Sequence, residues 1–255
     1  MTKGRTVNKY TRVYIDGYDL SGHARSIGPL TTTFQEGVDN PLNASITGVW
    51  LGQATISPGT LNSMFDNTQT TGIHDVLKTP GVRNVMVNLG IQAAPAVGDP
   101  AFVGQFLQDD YIATPEETPS AITVRFGSSK YGSTAINFSD PWGVVLGANT
   151  AWTAATTDDD VGIDQDAASA LGGYMMYQVT AGDGTATILV EDSTSNNHAD
   201  YGTLLTTPVL DCSSVQSGVV ATATTATVKQ FVRANIALSG ASTVTFALAF
   251  IRNHI

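Results

Sequence analysis

Residues 228–251 read VKQFVRANIALSGASTVTFALAFI, and this closing stretch does most to limit what the chain can become. Val232, Ala234, Ile236 and Leu238 alternate with Arg233, Asn235 and Ala237. After Ser239-Gly240-Ala241-Ser242 the alternation resumes, with Val244, Phe246, Leu248 and Phe250 against Thr245, Ala247 and Ala249. Successive side chains of a strand point to opposite faces, so each half presents one apolar row. The break between them suits a hairpin loop, although no Asn-Gly or Asp-Gly pair fixes its type. Two strands with one apolar face do not stand alone in water, so other strands must cover them. The C-terminal part is therefore expected to be a β-sandwich or jelly roll.

Charge narrows the reading further. Charged residues make up 13% of the 255, about half of the roughly 25% usual in soluble domains. A monomer keeps itself soluble with charge, so a surface this poor in it is expected to be covered by neighbours. A Thr-rich secreted β protein is the plainer alternative. The net charge of −10 argues against a protein that grips nucleic-acid phosphates through clustered Lys and Arg. Lys3, Arg5, Lys9 and Arg12 nonetheless fall in the first twelve residues with no acid among them. They form a basic arm over residues 1–11 and its border, either a solvated tail or a strap on an acidic neighbouring subunit. Cys212 is alone, so no intrachain disulfide is expected, and it reads as a small buried hydrophobe. The polar start has no apolar signal-peptide core, and no run approaches the ~20 apolar residues of a membrane helix. Synthesis in a reducing cytoplasm, or in a producer that does not export the chain, is the expectation.

From Arg12 the sequence reads as strands. RVYIDGYDL (12–20) carries a turn at Asp16-Gly17, and LTTTFQ (30–35) is β-branched. The segment 36–52, EGVDNPLNASITGVWLG, is long for a loop and rich in apolar side chains: Val38, Leu42, Ile46, Val49, Trp50 and Leu51. It is either a hairpin on its own sheet or an arm that buries these residues on an adjacent subunit. Ser57-Pro58 resembles a helix start, with Leu61, Met64 and Phe65 at helical spacing. Ile73, Val76 and Leu77 suggest a second helical turn, stopped at Pro80. Two short helices near 58–78 are expected to plug one side of a sandwich. Further strands are expected at 85–91, 101–107, 121–126 and 141–146, completing a first domain over 12–146. Residues 147–173 lose the pattern and read as a linker or acidic surface loop. A second domain over 174–255 follows, with strands at 174–180, 185–191, 204–210 and 219–226 before the closing pair.

Catalytic signatures are missing. His23, His74, His198 and His254 stand far apart, and no nucleophile elbow, Walker loop or dinucleotide fingerprint occurs. The pairs Asp16/Asp19 and Asp109/Asp110 could mimic glycosidase carboxylates, but acids in β-turns usually cap backbone amides. The run holding Asp158, Asp160 and Asp164 could bind calcium, yet it lacks the Gly and Glu of an EF-hand loop, so a solvated loop is expected. No enzyme, cofactor or metal is expected. Trp50, Trp142 and Trp152 do not cluster in sequence, although a sugar-binding sandwich stays open.

The strings VYIDGYDLSGHARSIGPL, GQATISPGTLNSMFDNTQTTGIHDVL, GGYMMYQV, VKQFVRANIALSG and TVTFALAFIRN together resemble phage tail proteins. They are most similar to the tail tube (major tail) proteins of long, flexible-tailed, siphovirus-type bacteriophages, and the likeness covers most of the chain. The resemblance implies an all-β fold: a tube-forming β-sandwich followed by a second, outward-facing sandwich that decorates the tube. It implies self-association into hexameric rings that stack into a conduit for genome delivery. Tape-measure and tail terminator or tip proteins would be the partners. DNA would pass through an acidic lumen without sequence-specific binding. The place would be the virion tail, assembled in the host bacterial cytoplasm without membrane insertion. Lys3, Arg5, Lys9, Val38, Leu42, Ile46, Val49 and Trp50 are the expected subunit contacts. Another virion component, such as a capsid decoration protein, or a carbohydrate-binding module are the alternatives.

Overall fold

The computed structural model describes residues 6–39, 48–115, 120–129, 140–153, 162–241 and 243–253, and the chain is all-β. A 3-10 turn (Asn8–Tyr10) leads into β1 (Thr11–Ile15), which turns at Asp16-Gly17 into β2 (Tyr18–Asp19). Then come β3 (Ala24–Gly28), β4 (Thr31–Asp39), β5 (Gly48–Ser57), β6 (Thr60–Met64) and the single described α-helix, α1 (Ile73–Leu77). β7 (Gly81–Leu89), β8 (Pro100–Thr114), β9 (Ala121–Ser129) and β10 (Trp142–Thr153) follow. The remainder is β11 (Ile163–Asp164), β12 (Gly173–Gly182), β13 (Thr185–Ser193), β14 (Gly202–Thr206), β15 (Leu210–Asp211), β16 (Gln216–Ala221), β17 (Phe231–Ser239) and β18 (Thr243–Arg252).

Side-chain alternation sorts these strands into four layers with three apolar seams. In the first seam Val13, Ile15, Val85, Val87 and Phe102 of β1, β7 and β8 meet Leu61, Ile122 and Val124 of β6 and β9. Ile73, Val76 and Leu77 bring α1 into the same seam. The opposite faces of β1, β7 and β8 supply Tyr14, Met86, Ala101 and Val103 to the middle seam. There they pack on Tyr174 and Met176 of β12 and on Ala247, Ala249 and Ile251 of β18. The other faces of β12 and β18 carry Met175, Val179, Phe246, Leu248 and Phe250, which pack on Ile188 and Val190 of β13 and Val232 and Ile236 of β17. The layers on either side of the middle seam belong to one sheet. It turns back on itself where Pro100–Phe102 of β8 pair with Trp142–Val144 of β10.

Three expectations change. The closing strands do not pair with each other: β17 lies between β11 and β13, whereas β18 lies between β10 and β12. The break at 239–242 crosses from one sheet to the facing one, so both apolar rows enter one core. Alternation names the buried face of a strand but not its hydrogen-bonding partner. The helix expected from Ser57 is strand β6, because burial there has period two: Leu61 and Ser63 are buried, Asn62 and Met64 exposed. Ser57 serves a turn instead of a helix cap, its Oγ accepting from Gly59 N at 3.0 Å and donating to Phe126 O at 2.8 Å. Finally, residues 147–153, expected in a linker, form the second half of β10 and pair with β18.

Candidate assembly surface

The first sandwich leaves one broad sheet face uncovered by other described elements. It is built from β3, β6, β9 and the distal half of β8, each antiparallel to the next. The buried side of these strands holds Leu61, Ile122 and Val124 in the core, which turns the polar alternates outward. A cross-strand row runs Ser26, Asn62, Thr123, Ile112. Asn62 Nδ2 donates to Ser26 Oγ at 3.1 Å, and Thr123 Oγ1 to Asn62 Oδ1 at 3.3 Å. The next row holds Thr60, Arg125 and Asp110, with Arg125 Nε bonded to Asp109 Oδ1 at 3.0 Å. That pair is solvent-exposed and contributes little to stability.

Neither outer edge of this four-stranded stretch pairs with a further described strand, and on β3 the Arg25 carbonyl accepts from Asn8 Nδ2 of the 3-10 turn at 2.8 Å. β3 pairs only with β6. β8 pairs with β7 as far as Gln108 and beyond it only with β9. Open edges present unpaired backbone groups, which proteins ordinarily protect or join to another strand.

β4 and β5 form a separate two-stranded ribbon, registered from Thr31↔Ser57 to Asp39↔Gly48, and neither pairs with any other described strand. Its root is fixed by buried Ile56, which joins the first seam together with Ala54. A ribbon of two strands is marginal in water unless its side chains find cover. The expected contact residues Val38, Val49 and Trp50 fall on this ribbon, in the pairs Val38↔Val49 and Gly37↔Trp50. Their side chains, and Lys3, Arg5, Leu42 and Ile46 altogether, lie outside the described residues. Lys9 sits in the 3-10 turn with Nζ 5.4 Å from the Tyr10 ring centroid.

Residues considered for chemistry have structural partners. Asp16 accepts from Arg83 Nη1 at 3.0 Å and from Asn84 N at 2.9 Å, while Asp19 Oδ1 accepts from Ser21 N at 3.0 Å. Asp164 Oδ1 accepts from Asp166 N and Gln230 Nε2 at 2.9 and 3.0 Å; Asp158 and Asp160 lie outside the described residues. No group of three His, Cys, Asp or Glu among the described residues could hold a metal ion. Trp152 is buried against Phe246 and serves packing, whereas Trp142 packs edge-on against Phe102 and stays partly exposed.

Two clusters escaped the sequence. His74 places Nδ1 2.6 Å from the Tyr111 hydroxyl beside Phe65, and burial pushes the Tyr111 phenol pKa up. On β17, Arg233 lies buried between Glu191 (2.8 Å, Nε to Oε2), the Tyr201 ring (4.3 Å) and His198 Nδ1 (2.9 Å). Both depend on residues distant in sequence, so local spacing carried no signal for either.

No protein-family model matches the chain, and no curated protein matches it either. Among solved structures it is similar to the SPP1 Dit (gp 19.1) protein, described as a paradigm of the hub adsorption apparatus in Gram-positive-infecting phages. Identity is 10% over 95% of this chain and 99% of that one, with a TM-score of 0.32.

Proposed function

We propose that this chain is a structural subunit of a bacteriophage tail, and specifically a tail tube protein whose copies join edge to edge into rings that stack. The observation that carries the reading is a run of four strands whose outer members, β3 and distal β8, pair with no further described strand on their far sides. Because the two edges differ, joining them is a head-to-tail contact, which closes into a ring when the rotation permits. A closed ring of such sheets is a barrel, and closure removes the edges that each copy exposes alone.

Two further features support it. The uncovered sheet face would line the lumen with hydroxyl and amide groups, Ser26, Asn62 and Thr123, around one guanidinium already held by Asp109. Such a wall offers phosphates little cationic grip, so DNA would pass without sticking. The β4–β5 ribbon would bury its apolar residues on a copy in the adjacent ring, accounting for a long two-stranded element with no sheet of its own. Hexameric symmetry, tape-measure and terminator partners and assembly in the host cytoplasm come with the sequence resemblance and form part of the proposal.

Negative-stain electron microscopy at rising protein concentration tests it. Hollow rings or tubes are expected. A chain that stays monomeric at every concentration, alone and when seeded with preformed phage tail tips, overturns the reading.

A further inference from the structure

Resting on the ring reading above, we propose that the β4–β5 ribbon of one copy docks on an aromatic seat at Met64 and Phe65 of a copy in the adjacent ring. Met64 ends β6 and Phe65 follows it, and the two residues are 37% and 40% exposed. The Phe65 ring lies 5.2 Å from the His74 ring, which lies 5.7 Å from the ring of Tyr111. His74 Nδ1 stands 2.6 Å from the Tyr111 hydroxyl, which ties α1 to β8 behind Phe65. The chain beyond Phe65 is also fixed: Asp66 O accepts from His74 N at 3.1 Å, and Asp66 Oδ1 accepts from Thr68 N at 2.9 Å. The seat is thus built before a partner arrives, and little ordering entropy is left to lose on docking.

Seat and ribbon belong to opposite ends of the same strands. Thr60 pairs with Gly28 and Arg125 at one end of β6, and Met64 pairs with Ala121 at the other. The ribbon leaves from the first end, where Ser57 Oγ donates to Phe126 O at 2.8 Å and Phe126 N donates to Gly59 O at 3.0 Å. β5 has ten residues, so the ribbon extends about 30 Å at about 3.3 Å per residue. Residues 40–47, outside those described, connect Asp39 to Gly48 at its far end and include Leu42 and Ile46. A copy that offers a ribbon at one end and a seat at the other makes the same contact at every step of a stack.

The size of the seat favours the same occupant. A stable complex buries about 800 Å² per partner, far more than two partly exposed side chains supply. One seat therefore holds no dimer, whereas a ring offers all its seats at once, and contacts made together strengthen one another without new surface. The described acids at the seat are already paired, Asp66 with His23 at 3.4 Å and Asp75 with Lys78. Burial of apolar side chains, not charge, drives the contact. Residues 31–57 carry Glu36 and Asp39 and no Lys, Arg or His, so a carboxylate placed on the seat would repel the ribbon.

The test uses the full chain, with circular dichroism confirming the fold and electron microscopy counting rings per stack. Met64→Ser with Phe65→Ser, and separately Met64→Glu, should leave rings intact and raise the concentration needed for tubes by roughly tenfold or more. Met64 is partly exposed, so Met64→Glu decides if the double variant does not fold. Rings of a seat variant keep their ribbons, and rings of Leu42→Ser with Trp50→Ser keep their seats. Mixed, the two kinds should stack in pairs and go no further, since each pair leaves only an altered seat and an altered ribbon facing outward. Seat variants that form tubes at the unmodified concentration overturn the seat and leave the tube reading standing, as does a mixture that gives no pairs. If the unmodified chain forms no rings under any condition, the ring reading fails and the seat fails with it.

Discussion

The side chain of Gln178 accepts a hydrogen bond from the backbone N–H of Gly17 at 2.6 Å, across 161 residues of sequence. Its Nε2 donates to Asn84 O at 3.0 Å, so one fully buried carboxamide on β12 satisfies two backbone groups of the first sandwich. Gly17 itself has φ +90°, and a Cβ there would lie 2.6 Å from Gln216 N. The β1–β2 turn thus presses against the second sandwich with no side chain between them.

Gln178→Ala should leave the buried Gly17 N–H without its acceptor, while Asn84 O keeps the Asp16 N–H at 3.1 Å, and lower stability by about 1–3 kcal/mol. Gly17→Ala should cost at least as much, since it adds left-handed strain to a steric conflict. Urea unfolding measures both. A wild-type midpoint for either variant would mean the turn is not held as described.

β18 is buried on two faces of different depth. Phe246→Ala should open a cavity costing about 3–5 kcal/mol. Ala247→Leu, on the seam against the first sandwich, should overpack it and cost about 1–3 kcal/mol. If Ala247→Leu were neutral, the middle seam would be looser than its full burial implies.

Alkaline pH should find the same seam. Tyr14 and Tyr174 both contribute to it, and burial raises both phenol pKa values, Tyr174 also donating to Asp140 O at 2.8 Å. Unfolded phenols ionise near pH 10. The folded values lie higher, so this contribution to stability is intact below about pH 10 and is lost as pH rises beyond it. Urea midpoints should therefore fall above that pH, with these two tyrosines showing phenolate absorbance only on unfolding. Their titration in the folded chain near pH 10 would contradict the burial.

Leu42→Ser with Trp50→Ser removes apolar side chains from the ribbon segment without touching its root at Ile56. A folded monomer that no longer forms tubes is the expected result, seen by electron microscopy and gel filtration. Normal tubes would show that the ribbon is not the inter-ring contact.

Much of the fold was legible because alternation is a local signal: β1, β7, β12 and β13 lie close to where the sequence puts them. The partner of each strand was not legible. The loop after Ser239 has the length of a hairpin, yet it spans two sheets, and Ala247 and Ala249 alternate like a plain outer face, which the folded-back half of their own sheet covers. Ser57-Pro58 carries the chemistry of a helix cap, which a turn uses equally well. Of the assembly surface, the apolar ribbon segment and the basic start were visible in sequence. The open edges of β3 and β8 were not, because an edge is defined by the pairing a strand lacks.

The middle seam also has a mechanical consequence. Among the described residues the two sandwiches pack together through buried Tyr14, Met86, Met176 and Ala249, and through the Gln178 clasp. A filament of such subunits would bend by opening and closing gaps between successive rings, with the inter-ring ribbons acting as its springs and each subunit keeping its shape.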